Sequence, residues 1–113
     1  MNITEKLKQS ERIDNIYLYR ERMFVQLYGV SLYLSLKELG LPLNVRVIRY
    51  KMLGNRAILN AGMPLKSLLN LDITDLIVTD SGFKIPNSWS FDSLSYHNWY
   101  DRKLKQLLSE EEK

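Results

Sequence analysis

The stretch from residue 16 to residue 40 constrains the fold more than any other part of this chain. It reads IYLYRERMFVQLYGVSLYLSLKELG. Aromatic and β-branched residues favour strands at Ile16–Arg20 and Phe24–Tyr28, with a turn between them. Apolar residues recur at helical spacing in Ser31–Leu39, and Gly40 is a typical residue to end a helix. We therefore predict a β-hairpin covered by an amphipathic helix. The apolar stripe of that helix consists of Leu32, Leu36 and Leu39.

The rest of the chain alternates between further strands and helices. Strands are predicted at residues 43–52, 56–60, 73–79 and 83–85, and helices at residues 2–11, 65–70 and 95–108. We expect Thr4 to cap the first helix, and residues 61–64 and 87–95 to form loops. The prediction is a single α/β domain of α+β type. Its mixed, mainly antiparallel sheet has about five or six strands, and it carries two longer helices.

Composition narrows the class of protein. The length of 113 residues suits one domain. Without cysteine, the chain has no disulfide, thiolate nucleophile or cysteine-ligated metal. No apolar run approaches the roughly 18 residues that span a bilayer, and the N-terminal residues contain no apolar signal segment. We expect a cytoplasmic protein with no membrane partner.

Positive charge is concentrated in one part of the chain. The overall formal charge is +3. Residues 12–66 contain nine basic and three acidic residues, a net charge of +6, and the remaining residues carry −3. A basic region of this kind attracts phosphate groups. The alternative interpretation is a solvated face on a slightly basic protein.

Two segments resemble one known family. The first runs from Tyr19 to Gly40 and contains Phe24-Val25-Gln26, and the second is Ala61-Gly62-Met63-Pro64 ahead of a helix. Both are similar to the N-terminal mismatch-recognition domain, domain I, of the MutS family of DNA mismatch-repair proteins. The resemblance covers roughly residues 13–71, in the order and spacing of the family. It implies a stand-alone, MutS domain I-like fold that binds duplex or mismatched DNA.

The family motif is Phe-x-Glu, in which the Phe wedges into DNA and the Glu contacts a base. By that resemblance Phe24 is the wedge and Gln26 contacts a base edge. The chain departs from the family at Gln26, which replaces Glu, and at Arg22-Met23, which replaces Gly-Asp. Its helix after the Pro segment is also shorter, and no ATPase or clamp segment is present. The alternative is that Phe24 packs in a core or interface, as strand aromatics do.

Five basic residues are candidates for phosphate contacts: Arg20, Arg22, Arg46, Arg49 and Lys51. Arg46 and Arg49 lie an odd number of residues apart in one predicted strand and therefore point to opposite faces of the sheet. The five residues do not share a single surface. Alternatively, they are solvated charges that discourage strands from pairing edge to edge.

No catalytic or metal-binding pattern stands out. A lone histidine, His97, has no second His or Cys for a zinc site, and we expect it to be structural or exposed. The spacing of Asp72, Asp75 and Asp80 suits caps and turns better than a metal site. The glycines match no phosphate-binding motif. We predict a non-enzymatic binding module with no cofactor.

Two alternatives to DNA binding stay open. The first is a protein-interaction or self-association module, and a small hydrolase or nuclease comes third. The C-terminal aromatic residues either form a partner surface or fold back over the sheet. We favour folding back over the sheet, because a small domain needs the apolar surface of these residues to complete its core. These residues are Trp89, Phe91, Tyr96, Trp99 and Tyr100.

Overall fold

A computed structural model describes residues 1–112, and within them it contains six strands and four α-helices. The strands are β1 (Asn15–Glu21), β2 (Phe24–Tyr28), β3 (Asn44–Arg49), β4 (Ala57–Pro64), β5 (Ile77–Thr79) and β6 (Gly82–Pro86). The helices are α1 (Ile3–Ser10), α2 (Gly29–Lys37), α3 (Leu65–Leu69) and α4 (Ser93–Glu111), with a 3-10 helix at Lys51–Leu53.

All six strands belong to one sheet in the order β3-β4-β2-β1-β6-β5. Each neighbouring pair is antiparallel. The predicted α+β domain with five or six strands is therefore confirmed. Its longest helix is the C-terminal one, as expected.

One face of the sheet carries the main core, and we call it the helix face. Alternate residues of the predicted hairpin point to this face, and Val25 and Leu27 are fully buried there. Helices α2 and α4 supply the facing layer of this core. The β1–β2 hairpin thus forms where the sequence predicts it.

Helix α2 differs from the amphipathic helix expected at Ser31–Leu39. It begins two residues earlier and ends at Lys37, and every residue from Gly29 to Ser35 is buried. Leu32 is buried as predicted, whereas Leu36 and Leu39 are only partly buried. A helix that is enclosed on all sides needs no polar face, so its apolar residues are not confined to one stripe.

Residues 61–64 form a strand, so the loop predicted there is wrong. Ala61 lies in β4 and pairs with Leu27 on one side and with Val45 on the other. Pairing on both sides satisfies the backbone and overrides the local preference of Gly62 for a turn. Pro64 stands at the end of the strand, where it interrupts no inner ladder bond.

Several element boundaries also differ from those predicted. The strand expected at residues 43–52 ends at Arg49, and the strand expected at residues 73–79 is reduced to Ile77–Thr79. Helix α4 starts earlier than expected because the Asp92 carboxylate accepts from the Leu94 N–H at 3.1 Å and caps it.

The aromatic C-terminal third folds back over the sheet, as the favoured interpretation expected. Tyr96 is buried in the main core, and its hydroxyl donates to Glu11 Oε1 at 3.0 Å. The rings of Tyr33 and Trp99 lie 5.4 Å apart, which joins α2 to α4. Trp89, Phe91 and Tyr100 pack against the same core.

Helix α1 covers part of the opposite face of the sheet. Asn2, and not Thr4 as predicted, caps it, since the Asn2 Oδ1 accepts from the Glu5 N–H at 2.9 Å. Its apolar side packs on a second cluster that the sequence did not predict, because no periodicity reveals which strands lie side by side. The buried members are Ile3, Tyr17, Tyr19, Tyr28 and Ile58.

Strand β2 is shorter than its neighbours, which leaves a gap in the sheet beyond Tyr28. Hydroxyl groups fill the gap from both sides. The Tyr17 N–H of β1 donates to Ser31 Oγ at 2.9 Å, and the Leu59 N–H of β4 donates to the Tyr100 hydroxyl at 3.0 Å. Two backbone donors are thereby satisfied without a strand partner.

Within residues 1–112, no helix is both long and apolar enough to cross a membrane.

Candidate nucleic-acid interface

The β1–β2 turn places an aromatic side chain at the surface. The turn consists of Arg22 and Met23, and Glu21 pairs with Phe24 across it. Arg22 has a φ of 57°, a conformation that tight two-residue hairpins require and that side-chain-bearing residues rarely adopt. The Phe24 residue is 51% exposed. The interpretation of Phe24 as a core aromatic is therefore wrong for the isolated chain.

Phe24 and Gln26 lie on the same face of the sheet, because the residue between them, Val25, points into the core. Helix α1 covers only the other part of this face. We call the remaining part the uncovered patch. By strand register it contains Glu21, Phe24, Gln26, Asn44, Arg46 and Gly62.

A chain of polar side chains crosses three strands under the uncovered patch. Arg46 Nε on β3 donates to Asn60 Oδ1 on β4 at 2.9 Å. Asn60 Nδ2 in turn donates to Gln26 Oε1 on β2 at 2.9 Å. Asn60 has no exposed surface, whereas Gln26 is partly exposed and Arg46 is exposed. The buried amide of Asn60 therefore connects the Arg46 cation to the partly exposed Gln26.

Two buried phenols lie beside the uncovered patch. Tyr19 pairs with Gln26 across β1 and β2, and the hydroxyl of Tyr28 on β2 lies 3.1 Å from that of Tyr50. Burial, with this hydrogen bond, raises the pKa of Tyr28 far above its usual value, so it stays protonated. What the patch offers is an apolar ring, side-chain amides, a guanidinium and the carboxylate of Glu21.

The candidate phosphate-contacting residues fall into two separate groups. Arg20 and Arg22 lie at the hairpin turn, where Arg20 Nε donates to the Arg22 carbonyl at 3.2 Å. Arg49 lies opposite Ala57, at the other end of β4 from the Pro64 that pairs with Phe24. That separation is seven residues, or about 23 Å along the strand.

Arg49 also forms an ion pair with Glu111. Two of its three guanidinium nitrogens donate to the Glu111 carboxylate at 3.3 and 3.1 Å. Lys51 lies beyond it in the 3-10 helix. The basic residues at the turn beside Phe24 are therefore Arg20 and Arg22. Arg46 pairs with Asn60, four residues along β4 from the Pro64 that pairs with Phe24, and Arg49 and Lys51 lie further away.

Comparison of the chain with protein-family models, with curated proteins and with solved structures finds no match. The resemblance to the MutS mismatch-recognition domain thus stays a prediction.

The remaining candidate residues lie apart from the uncovered patch. His97 is exposed on α4, and its Nδ1 lies 2.8 Å from the carbonyl of Ser93. Asp72 and Asp75 line a cleft of about 440 Å³, whereas Asp80 lies beside Arg20 at the β5–β6 turn. Within residues 1–112, no three acidic, His or Cys side chains group as metal ligands.

Sequence reasoning missed Asn60 as a functional candidate. It expected residue 60 to end a strand before a loop, where a polar side chain is ordinary. The available signal was the apolar context Ile58-Leu59-Asn60-Ala61. A buried amide among such residues must find hydrogen-bond partners, and here they come from β2 and β3.

Proposed function

We propose that this chain is a non-enzymatic module that binds duplex DNA with the tip of its β1–β2 hairpin. Phe24 inserts at a base step, and Gln26 contacts a base edge beside it. The observation that carries the proposal is the exposure of Phe24 on the same face as Gln26. The resemblance of this segment to the MutS mismatch-recognition domain supports the same assignment.

The chemistry of the uncovered patch suits such a contact. Apolar wedges partly unstack base steps, which costs least where the DNA is mismatched or flexible. Gln26 carries no charge, so it contacts bases without repelling phosphate. Arg20 and Arg22 at the turn, with Arg46 further along the sheet, offer cations to the backbone, opposed by the carboxylates of Glu21 and Asp80.

A second function, protein interaction or self-association, is favoured by the outer edge of the sheet. Strand β5 pairs only with β6, and Val78 on it is 77% exposed. An edge strand with exposed apolar side chains is a template for pairing with another chain. This surface would be used in place of the hairpin tip.

Binding of fluorescent duplexes distinguishes the two functions. We expect the protein to bind duplex DNA at low salt, with a mismatched duplex preferred over a matched one. Phe24→Ala should reduce that preference, because the wedge gains most where unstacking is easy. Leu94→Ala is the matched control, since Leu94 is 69% exposed on α4, on the other side of the sheet.

Salt dependence tests the phosphate contacts. Each lost phosphate contact should flatten the slope of log affinity against log salt by about 0.9. We expect this loss for Arg22→Ala and not for Arg49→Ala, since Arg49 lies far from the tip and is paired with Glu111. Absence of binding at low salt refutes the proposal, and concentration-dependent self-association that Val78→Lys abolishes would favour the second function.

A further inference from the structure

The polar chain beneath the uncovered patch fixes which end of the Gln26 amide faces outward. We infer that Gln26 presents its Nε2 hydrogens to the ligand, and that Arg46 and Asn60 are positioning residues. The site then selects a base that offers an acceptor atom and rejects one that offers a donor. This inference rests on the proposed function, since it names the chemistry that the same site reads.

Arg46 determines the orientation of the Asn60 side-chain amide. A guanidinium only donates hydrogen bonds. The atom of Asn60 that lies 2.9 Å from Arg46 Nε must therefore be the amide oxygen, and the amide nitrogen must point the other way.

The surroundings of the Asn60 nitrogen support the same orientation. Nδ2 lies 3.4 Å from the Leu27 carbonyl and 3.5 Å from the Ala61 carbonyl, and carbonyl oxygens only accept. A reversed amide would set its oxygen against two carbonyls and its hydrogens against a cation. Because Asn60 is fully buried, no water would relieve those contacts.

Gln26 is oriented by the same logic. Its Oε1 accepts from Asn60 Nδ2 at 2.9 Å. Among residues 1–112, its Nε2 donates no hydrogen bond. Gly62, which pairs with Gln26 in β4, makes room for the amide, since a Cβ there would lie 3.2 Å from both Nε2 and Oε1. The outward group is therefore the –NH₂ donor.

A wedge at a base step works from the minor groove. There the edges of A·T pairs present only acceptors, and guanine adds its 2-amino donor. An outward Nε2 therefore favours steps without that amino group. Inosine is the matched probe, because it differs from guanine only in lacking the 2-amino group.

The experiment compares two duplexes that differ at one position, a G·T mismatch and an inosine·T mismatch. We expect the wild-type protein to bind the inosine duplex about three- to tenfold more tightly, the size of one hydrogen-bond contact. Gln26→Met should remove the preference. Gln26→Glu, which presents an acceptor outward, should reverse it. Equal affinities in the wild type, or an unchanged ratio in Gln26→Met, would overturn the inference.

The positioning role has its own readout. Arg46→Met should reduce the preference ratio, and Arg46→Lys, which keeps a donor, should retain it. A purely structural role would change both affinities equally and leave the ratio unaltered.

Side-chain amide exchange measured by NMR tests the orientation without DNA. We expect slow exchange for the Asn60 NH₂ and fast exchange for the Gln26 NH₂. A protected Gln26 NH₂ would overturn the orientation even if DNA binds. Failure of the wild-type protein to bind any duplex refutes the proposed function, and it refutes the base preference as well. The amide-exchange measurement still tests the orientation of Gln26 in that case, because it needs no DNA.

Discussion

Gly82→Ala offers the sharpest test of the sheet. Gly82 begins β6 and pairs with Tyr19 at the crowded centre of β1. A Cβ added there would lie 2.2 Å from the Leu18 carbonyl oxygen and 2.7 Å from the Arg20 nitrogen. Both are backbone atoms, so no change of side-chain rotamer relieves the clash. The two strands must separate by about 1 Å before the contact becomes an ordinary one.

The cost follows from the hydrogen bonds at this corner. Separation would break the bond from the Arg20 N–H to the Ser81 carbonyl, 2.9 Å long, and that from the Gly82 N–H to Thr79 Oγ1, 3.1 Å long. It would also loosen the β5–β6 pairing. With the loosened β5–β6 pairing counted as one further bond, three bonds at about 0.5–1.5 kcal/mol each give a loss of about 2–4 kcal/mol. The melting temperature should fall by roughly 10–20 °C for a domain of this size.

Gly40→Ala is the control. Gly40 also has a positive φ, 57°, but nothing lies within 4 Å of an added Cβ. It should cost about 1 kcal/mol of backbone strain alone. Urea unfolding followed by tryptophan fluorescence measures both variants. A loss at Gly82 no greater than that at Gly40 would refute the close approach of β6 to β1.

Two further predictions concern α2 and α4. Leu32→Ala should lower the free energy of unfolding by about 2–5 kcal/mol and Leu36→Ala by clearly less, since only Leu32 is fully buried; equal losses in urea unfolding would contradict the placement of α2. The hydrogen bond from the Ser95 hydroxyl, helped by the Leu94 N–H, holds the pKa of Asp92 below its usual value. Its contribution to stability is therefore present above the unfolded pKa, near 3.8, and is lost as the pH falls through the lower folded pKa. Carboxyl titration by NMR should show the lowered pKa, and Asp92→Asn should flatten the acid limb of stability.

The hairpin was predictable because its signals are local. Alternation in Phe24-Val25-Gln26-Leu27 assigns two residues to each face, and the residues around Arg22 interrupt the pattern. The continuation of β4 through Ala61 was not predictable from such signals. Its backbone is satisfied by Leu27 and Val45, and neither is near it in sequence.

The same distinction holds for the site. The alternation of side chains along a strand predicts that Phe24 and Gln26 share a face, but it does not predict that Asn60 lies between Gln26 and Arg46. That arrangement depends on the register of three strands. The pairing of Arg49 with Glu111 was equally hidden, because it joins residues 62 positions apart.

The gap beside β2 has a consequence for how this protein opens. The sheet is completed there by a serine of α2 and a tyrosine of α4, not by another strand. Neither helix is able to lift away without breaking its hydrogen bond to a sheet amide, a net loss of about 0.5–1.5 kcal/mol for each bond. Helices and sheet should therefore behave as one cooperative unit, and local opening should be confined to segments outside it, such as the hairpin tip.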